Sequence, residues 1–351
     1  MTARVLFILK RRQDYSSIIH SHIGLSTGLY NSASFVDQML RDAGIESKLV
    51  VVADNNLIDR EVTQYKPTHV IIEALWVVPQ KFTVLKKLHP NVKWIIRLHS
   101  EMPFMAGEGM AMDWFGDYSD FSEIVLACNA PRMLRETREY IKHRNQLTDQ
   151  AVAEKVIYLP NYYPQDYKTK QLNRDKEFID ISCFGAIRPL KNQLLQALAA
   201  IEFADAIGKP LRFHVNAGRI EMNGSPVINN LKGLFQQIAP RGHAMVNHQW
   251  CPRDDFLAIC AQMDIGMQVS FSETFNIVGA DLISQGVPLV GSLEIPWINP
   301  LFCADPTNSE EICRKLMLTY RWAGLNTWSH KYMLSRYTNQ TLRIWKQYFK
   351  E

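Results

Sequence analysis

Several features of specialised chains are missing from this sequence. Its six cysteines (Cys128, Cys183, Cys251, Cys260, Cys303 and Cys313) form no C-x-x-C and no zinc-like spacing. That excludes a disulfide scaffold or a cysteine metal cluster and reads as small buried hydrophobes in a reducing compartment. No apolar run approaches the roughly 20 residues of a membrane-spanning helix; the longest, around Val70 to Val78, is broken by Glu73. The apolar stretch Val5 to Leu9 is short, and Lys10, Arg11 and Arg12 follow it, the reverse of signal-peptide order. A cytoplasmic protein without a transmembrane segment is the expectation. Neither sign of charge dominates: 39 Lys and Arg face 35 Asp and Glu, a net +4, which permits a polyanionic partner without requiring one. Gly (17) and Pro (16) are too few for collagen-like or low-complexity classes. There is no H-E-x-x-H and no G-x-x-x-x-G-K-[ST]. His20 and His22 have no cysteine or carboxylate beside them and read as a polar loop.

What is present is enough apolar material, 47% against 21% charged, to fill proper cores. At roughly 150 residues per domain the length suggests two of them. Short apolar runs alternate with amphipathic ones: Val5–Leu9, Lys48–Val52, His69–Ile72, Trp94–Leu98 and Ile124–Ala127 as strands, with helices such as Asn31–Ala43 and Pro131–His143 between them. Residues 162–176 are polar and aperiodic, a linker, and the alternation then restarts at Ile179. The pattern predicts an α/β class with two Rossmann-like, doubly wound domains of parallel sheet, 1–165 and 166–330, facing a central cleft.

Two segments carry the chemistry. In Ser270 to Gly291 a strand ends, a loop presents Glu273, and a helix opens near Asn276 with Asp281 on its second turn. Backbone N–H groups from Thr274 through Phe275 and Asn276 to Ile277 offer a seat for phosphate oxygens, and the carboxylates can accept from neutral hydroxyls. The same acids also fit a helix N-terminus on dipole grounds alone. In Cys183 to Asn192, Gly185 permits a tight turn after a strand, and Arg188 and Lys191 stand before a helix. Paired cations there suit a diphosphate leaving group, or else simply a basic cap.

The first of these segments closely resembles the donor-binding signature of GT-B glycosyltransferases of the retaining family-4 type, S-x-x-E-G-F-G-x-x-x-x-E-A-M-A-x-G-x-P-V. Glu273 matches the first Glu, Phe275 the aromatic, Asp281 the second Glu, and Gly286 and Pro288 the Gly-x-Pro; Thr274 and Asn276 replace glycines. The second resembles the family's G-R-L-x-x-x-K, with Lys191 in place and the arginine moved to Arg188. The resemblance implies that Glu273 contacts the donor sugar, Asp281 the nucleotide ribose, and Arg188 and Lys191 the diphosphate. It also implies that His99, ending a strand, lies near the sugar, and that Gly28 of Ser26-Thr27-Gly28 keeps one of two family glycines near the donor phosphate. A structural histidine and a turn glycine explain those two positions as well. The tail helix, 331–351, resembles the one that packs back on the first domain.

The implied reaction is transfer of a hexose, glucose or similar, from a nucleoside diphosphate sugar, UDP-sugar first, to a hydroxyl with retention. No permanently bound cofactor and no metal are expected, since the D-x-D of metal-dependent glycosyltransferases is absent. Arg132, Arg135 and Arg138 at helical spacing, with the loop Lys10–Ser17, raise double-stranded DNA with hydroxymethylated bases as acceptor; Glu136 and Glu139 argue for a plain solvated helix. A saccharide or lipid-linked acceptor, a sugar-nucleotide epimerase of the same fold, and a non-catalytic nucleotide-sugar or DNA binding module are the alternatives.

Overall fold

The structure, a computed structural model, describes residues 3–11 and 27–350. The expected polar loop around His20 and His22, the start of the Ser26-Thr27-Gly28 segment and most of the loop Lys10–Ser17 lie outside the described residues. Two compact units emerge, Met1–Pro164 with Thr338–Glu351, and Gln165–Tyr337.

The first unit holds strands β1 (Arg4–Lys10), β2 (Glu46–Val52), β3 (His69–Glu73), β4 (Lys93–Leu98), β5 (Ile124–Cys128) and β6 (Val156–Tyr158), in the order β2-β1-β3-β4-β5-β6. Every pairing is parallel. Parallel strands need crossover helices, which cover both faces, so the central strands are apolar throughout instead of alternating. Side-chain alternation then divides them between two cores. Leu6, Ile8, Val70, Ile72 and Ile96 point to one face. Val5, Phe7, Ile71 and Ile95 point to the other, against Val36, Met39 and Leu40 of helix Thr27–Asp42 and against Trp345. All four of those strand residues are fully buried, and truncating one to Ala would cost about 2–5 kcal/mol.

The second unit holds β7 (Ile179–Ser182), β8 (Leu211–Val215), β9 (Ala244–Asn247), β10 (Ile265–Gln268) and β11 (Leu289–Gly291), ordered β11-β10-β7-β8-β9 and again all parallel. The chain starts at β7, builds outward through β8 and β9, then crosses back to place β10 on the other side. The strand order therefore reverses between β7 and β10, and at such a switch point the connections leave in opposite directions and open a crevice at the carboxyl ends. The elements follow the sequence pattern, but two helices open before their expected starts, the first at Thr27 instead of Asn31. The C-terminal helix runs Ala323–Tyr348, starting earlier than the expected 331, because its first turns expose Trp328 and Leu325 and so lack an ordinary amphipathic pattern.

Residues 162–176 contain no helix or strand, as their composition indicates, yet the segment is tied down. Lys168 N–H donates to Ser284 O (2.6 Å) and Lys170 Nζ to Ala261 O (2.7 Å). All six cysteines are free, and five are buried.

Candidate functional site

At the switch point of the second unit two loops lie side by side, 183–192 after β7 and 269–276 after β10. Phe271 N–H donates to Leu190 O (2.9 Å), and the Asn192 carboxamide donates to Val269 O (3.2 Å) and Pro306 O (2.7 Å). Gln196 completes the tie, donating to Lys191 O (2.8 Å) while accepting from Val269 N–H (2.9 Å). Gly185 has φ +118°, open only to glycine, and its N–H donates to Asn216 Oδ1 at 3.2 Å.

These ties bring Lys191 and Glu273, 82 residues apart in sequence, into a buried ion pair in which Nζ donates to Oε1. Burial outweighs the attraction of Glu273 and holds the Lys191 ammonium below the ordinary lysine range; Arg188 pushes in the same direction. The other predicted residues are more dispersed. Arg188 turns to Glu221 (3.5 Å), a carboxylate it shares with Arg219 (2.5 Å), whose guanidinium lies 5.2 Å from the Trp250 ring centre. Asp281 is buried on helix Ile277–Ser284 and paired with Arg253 (2.8 Å), the first residue of helix Arg253–Gln262. Thr274 is half-buried. Phe275 is a core residue, packed on Trp297 and Tyr337, and its carbonyl accepts from Trp297 Nε1–H (2.6 Å).

Asn276 occupies a glycine position of the resembled signature for a local reason. Its φ is +60°, the left-handed region that asparagine tolerates best after glycine. The side chain caps the helix, accepting from Gly279 N–H (2.7 Å), and donates to Gln268 Oε1 (2.9 Å). Both ends of the carboxamide thus serve the fold.

In the first unit, His99 follows β4 and joins a network that the sequence concealed. Glu73 and Arg97 are register partners across β3 and β4, both with no exposure. Arg97 donates to both Glu73 oxygens (3.0 and 3.2 Å), to Leu159 O (3.1 Å), to Pro160 O (3.2 Å) and to Asn161 Oδ1. Burial alone would raise the Glu73 carboxyl, but Arg97 and His99 together hold it below its ordinary value. Burial lowers His99 more than Glu73 raises it, favouring neutral imidazole. With Asn129 Nδ2 approaching Nδ1 (3.4 Å), the ring proton belongs on Nε2, which meets Glu73. Gly28 lies in the first turn of helix Thr27–Asp42, half-buried. On helix Pro131–Asn145, Arg132 pairs with buried Glu101 (2.7 Å) and Arg138 donates to Val156 O (3.0 Å), leaving Arg135 the most exposed of the three.

Sequence reading missed Glu73, Arg97, Arg219, Glu221, Trp250 and Arg253. The only available signal was a charge inside an apolar strand at Glu73 and Arg97. Among the described residues no group of three His, Cys, Asp or Glu is placed to hold a metal ion, and no helix is long and apolar enough to cross a membrane.

No family model and no curated protein matches the sequence. Solved structures do match the fold. An α,α-trehalose-phosphate synthase (UDP-forming) from Burkholderia vietnamiensis superposes with TM-score 0.71 at 10% identity, covering 99% of this chain and 96% of that one. A trehalose-6-phosphate synthase studied for glycosyl transfer with retention gives 0.64 at 13% identity over 84% and 77%. An Anabaena protein in complex with UDP and glucose gives 0.63 at 12% identity over 99% and 98%. The chain has the GT-B fold that these proteins share.

Proposed function

We propose that this protein is a retaining glycosyltransferase that moves a hexose, glucose or a close relative, from UDP to a hydroxyl acceptor. The observation that carries the reading is the buried Lys191–Glu273 pair at the β7–β10 switch point, in a fold whose solved examples include a UDP-forming synthase and a complex with UDP and glucose. A buried ion pair is a poor stability device. Both partners gain if the ammonium meets a diphosphate and the carboxylate meets sugar hydroxyls.

In the reaction the bond between the anomeric carbon and the β-phosphate oxygen breaks, and its electron pair goes to the departing UDP. Lys191, with Arg188 swung from Glu221, stabilises that charge. The acceptor oxygen bonds the anomeric carbon on the same face and gives its proton to the leaving phosphate. Glu273 orients the sugar. Asp281, held by Arg253, takes the ribose, and the backbone beside Thr274, Phe275 and Asn276, with Gly185, lines the phosphates. By resemblance Gly28 and His99 serve phosphate and sugar. Phe275 and Asn276 act through the backbone they fix, not through their side chains.

Two cations at the leaving group make a metal unnecessary, so activity should survive chelation. For the acceptor, hydroxymethylated DNA is the less favoured of the hydroxyl classes, because Arg132 and Arg138 are already engaged within the fold. The test is incubation with a panel of UDP-sugars, with chelator, against sugar, sugar-phosphate and hydroxymethylated duplex DNA acceptors, reading UDP release and product anomer. UDP release with an α-linked product, lost in Glu273→Gln, is expected. An epimerised sugar nucleotide without UDP release would make it an epimerase. Tight nucleotide binding with no turnover would make it a binding module.

A further inference from the structure

The helix Ala323–Tyr348 begins in the second unit with side chains of the kind normally found inside a protein turned to solvent. Trp322, at the corner before it, is 49% exposed, Leu325 45%, Trp328 65% and Tyr332 54%. Their spacing places them along one side of the helix, while Asn326, His330 and Leu334 on the other side are buried. Met317, on the preceding helix Ser309–Arg321, is 41% exposed. Trp328 and Tyr332 stack with rings 6.1 Å apart and 9° from parallel, forming one slab.

The stretch of chain that forms this face carries charge of one sign. From Ile312 to Tyr337 the chain contains no Asp or Glu. Arg321 lies 5.6 Å from the Trp322 ring centre and Arg336 lies 5.8 Å from that of Tyr332. Lys331 donates to Lys168 O at 2.6 Å. Beside Arg321 and Gly324 a cavity of about 240 Å³ adds Lys170 and Arg174; its acid, Asp264, is bonded to Lys176 (2.7 Å).

We propose that this face is a peripheral docking surface for membranes bearing anionic lipid. Indole and phenol rings favour the headgroup boundary, having an apolar body and a polar edge, and flanking cations add attraction to anionic headgroups. Nucleic acid fits less well. A base needs an open ring face, whereas Trp328 and Tyr332 stack on each other and Arg336 covers Tyr332. Leu325 and Met317 offer a base nothing to stack on.

The test is flotation of the full chain with phosphatidylcholine vesicles, with and without roughly 30% phosphatidylglycerol. The protein should float with the anionic vesicles and much less with neutral ones. Trp322→Ser/Trp328→Ser and Arg321→Ser/Arg336→Ser should each lower the partition coefficient by about tenfold or more. Melting should be unchanged, since these side chains lie on the surface. Wild-type protein remaining with the soluble fraction, or both variants floating like wild type, would overturn the proposal. So would binding to a single-stranded oligonucleotide, or dimerisation, that the tryptophan variant abolishes while vesicles stay unbound. UDP release in solution does not involve these residues, so either proposal can fail without the other.

Discussion

Removing one member of the Lys191–Glu273 pair should damage the second unit more than removing both. Both side chains are at least nine-tenths buried, so Glu273→Gln strands an ammonium and Lys191→Met strands a carboxylate; breaking such a pair costs about 3–5 kcal/mol. For a unit of this size each kcal/mol lowers Tm by about 2–4 °C, so roughly 6–20 °C is expected from either change. The double variant Lys191→Met/Glu273→Met leaves no buried charge and should return to within about 1 kcal/mol of wild type. A pH dependence accompanies Glu273→Gln. Lys191 already titrates below the ordinary lysine range through burial, and without Glu273 it falls further below its unfolded value. The unfolded chain then holds the proton more tightly, so stability is lost as pH falls and recovered as pH rises toward the alkaline range. The assay is hydrogen exchange of peptides covering 265–291 in the full chain, across pH, beside UDP release. Single variants costing under about 1 kcal/mol, or a double variant costing the sum of the singles, would refute the reasoning. A restored double variant without turnover would show that the pair is kept for chemistry.

Three further outcomes follow from the same geometry. Asn276→Ala places a β-carbon residue at φ +60° and removes the cap to Gly279; it should cost about 2–3 kcal/mol, and Asn276→Gly clearly less, by urea unfolding. His330 is buried with its pKa lowered from 6.5 to about 4 by desolvation. As pH falls the unfolded chain binds the proton first, so about 3 kcal/mol should drain away between those two values, and His330→Phe should flatten that slope in pH-dependent exchange of peptides from the second unit. In the first unit Arg97→Met should be worse than Glu73→Gln. The stranded arginine keeps three acceptors at Leu159, Pro160 and Asn161, whereas among the described residues the stranded carboxylate keeps His99; equal and small losses in chemical denaturation of both variants would refute this.

The strands were legible because parallel sheets covered on both faces read as unbroken apolar runs. β3 and β4 are such runs, and the same rule hid their chemistry. Glu73 looks like an interruption until parallel register sets it opposite Arg97, and no local pattern encodes a partner 24 residues away. The segment Ser270 to Gly291 carries a recognisable signature, but the ion pair was not legible, since Lys191 and Glu273 meet only through the ties of Asn192 and Gln196. Asn276 shows the converse: it replaces a glycine of the signature, and the backbone dihedral explains that replacement within the fold. The partner of Asp281, Arg253, could not be read from the sequence, because that arginine opens a different helix.

The long C-terminal helix also bears on synthesis. Trp345 Nε1–H bonds Pro160 O (2.8 Å), 185 residues earlier, and lies 5.3 Å from the Arg97 guanidinium. The unit begun first is therefore completed last. While the second unit is being translated, the face of the first sheet carrying Phe7, Ile71 and Ile95 waits without its covering indole, exposed to any passing apolar surface. A ribosome stalled before Thr338 would hold a chain whose second half can settle while its first half still lacks its closing segment, the moment at which a chaperone would be needed.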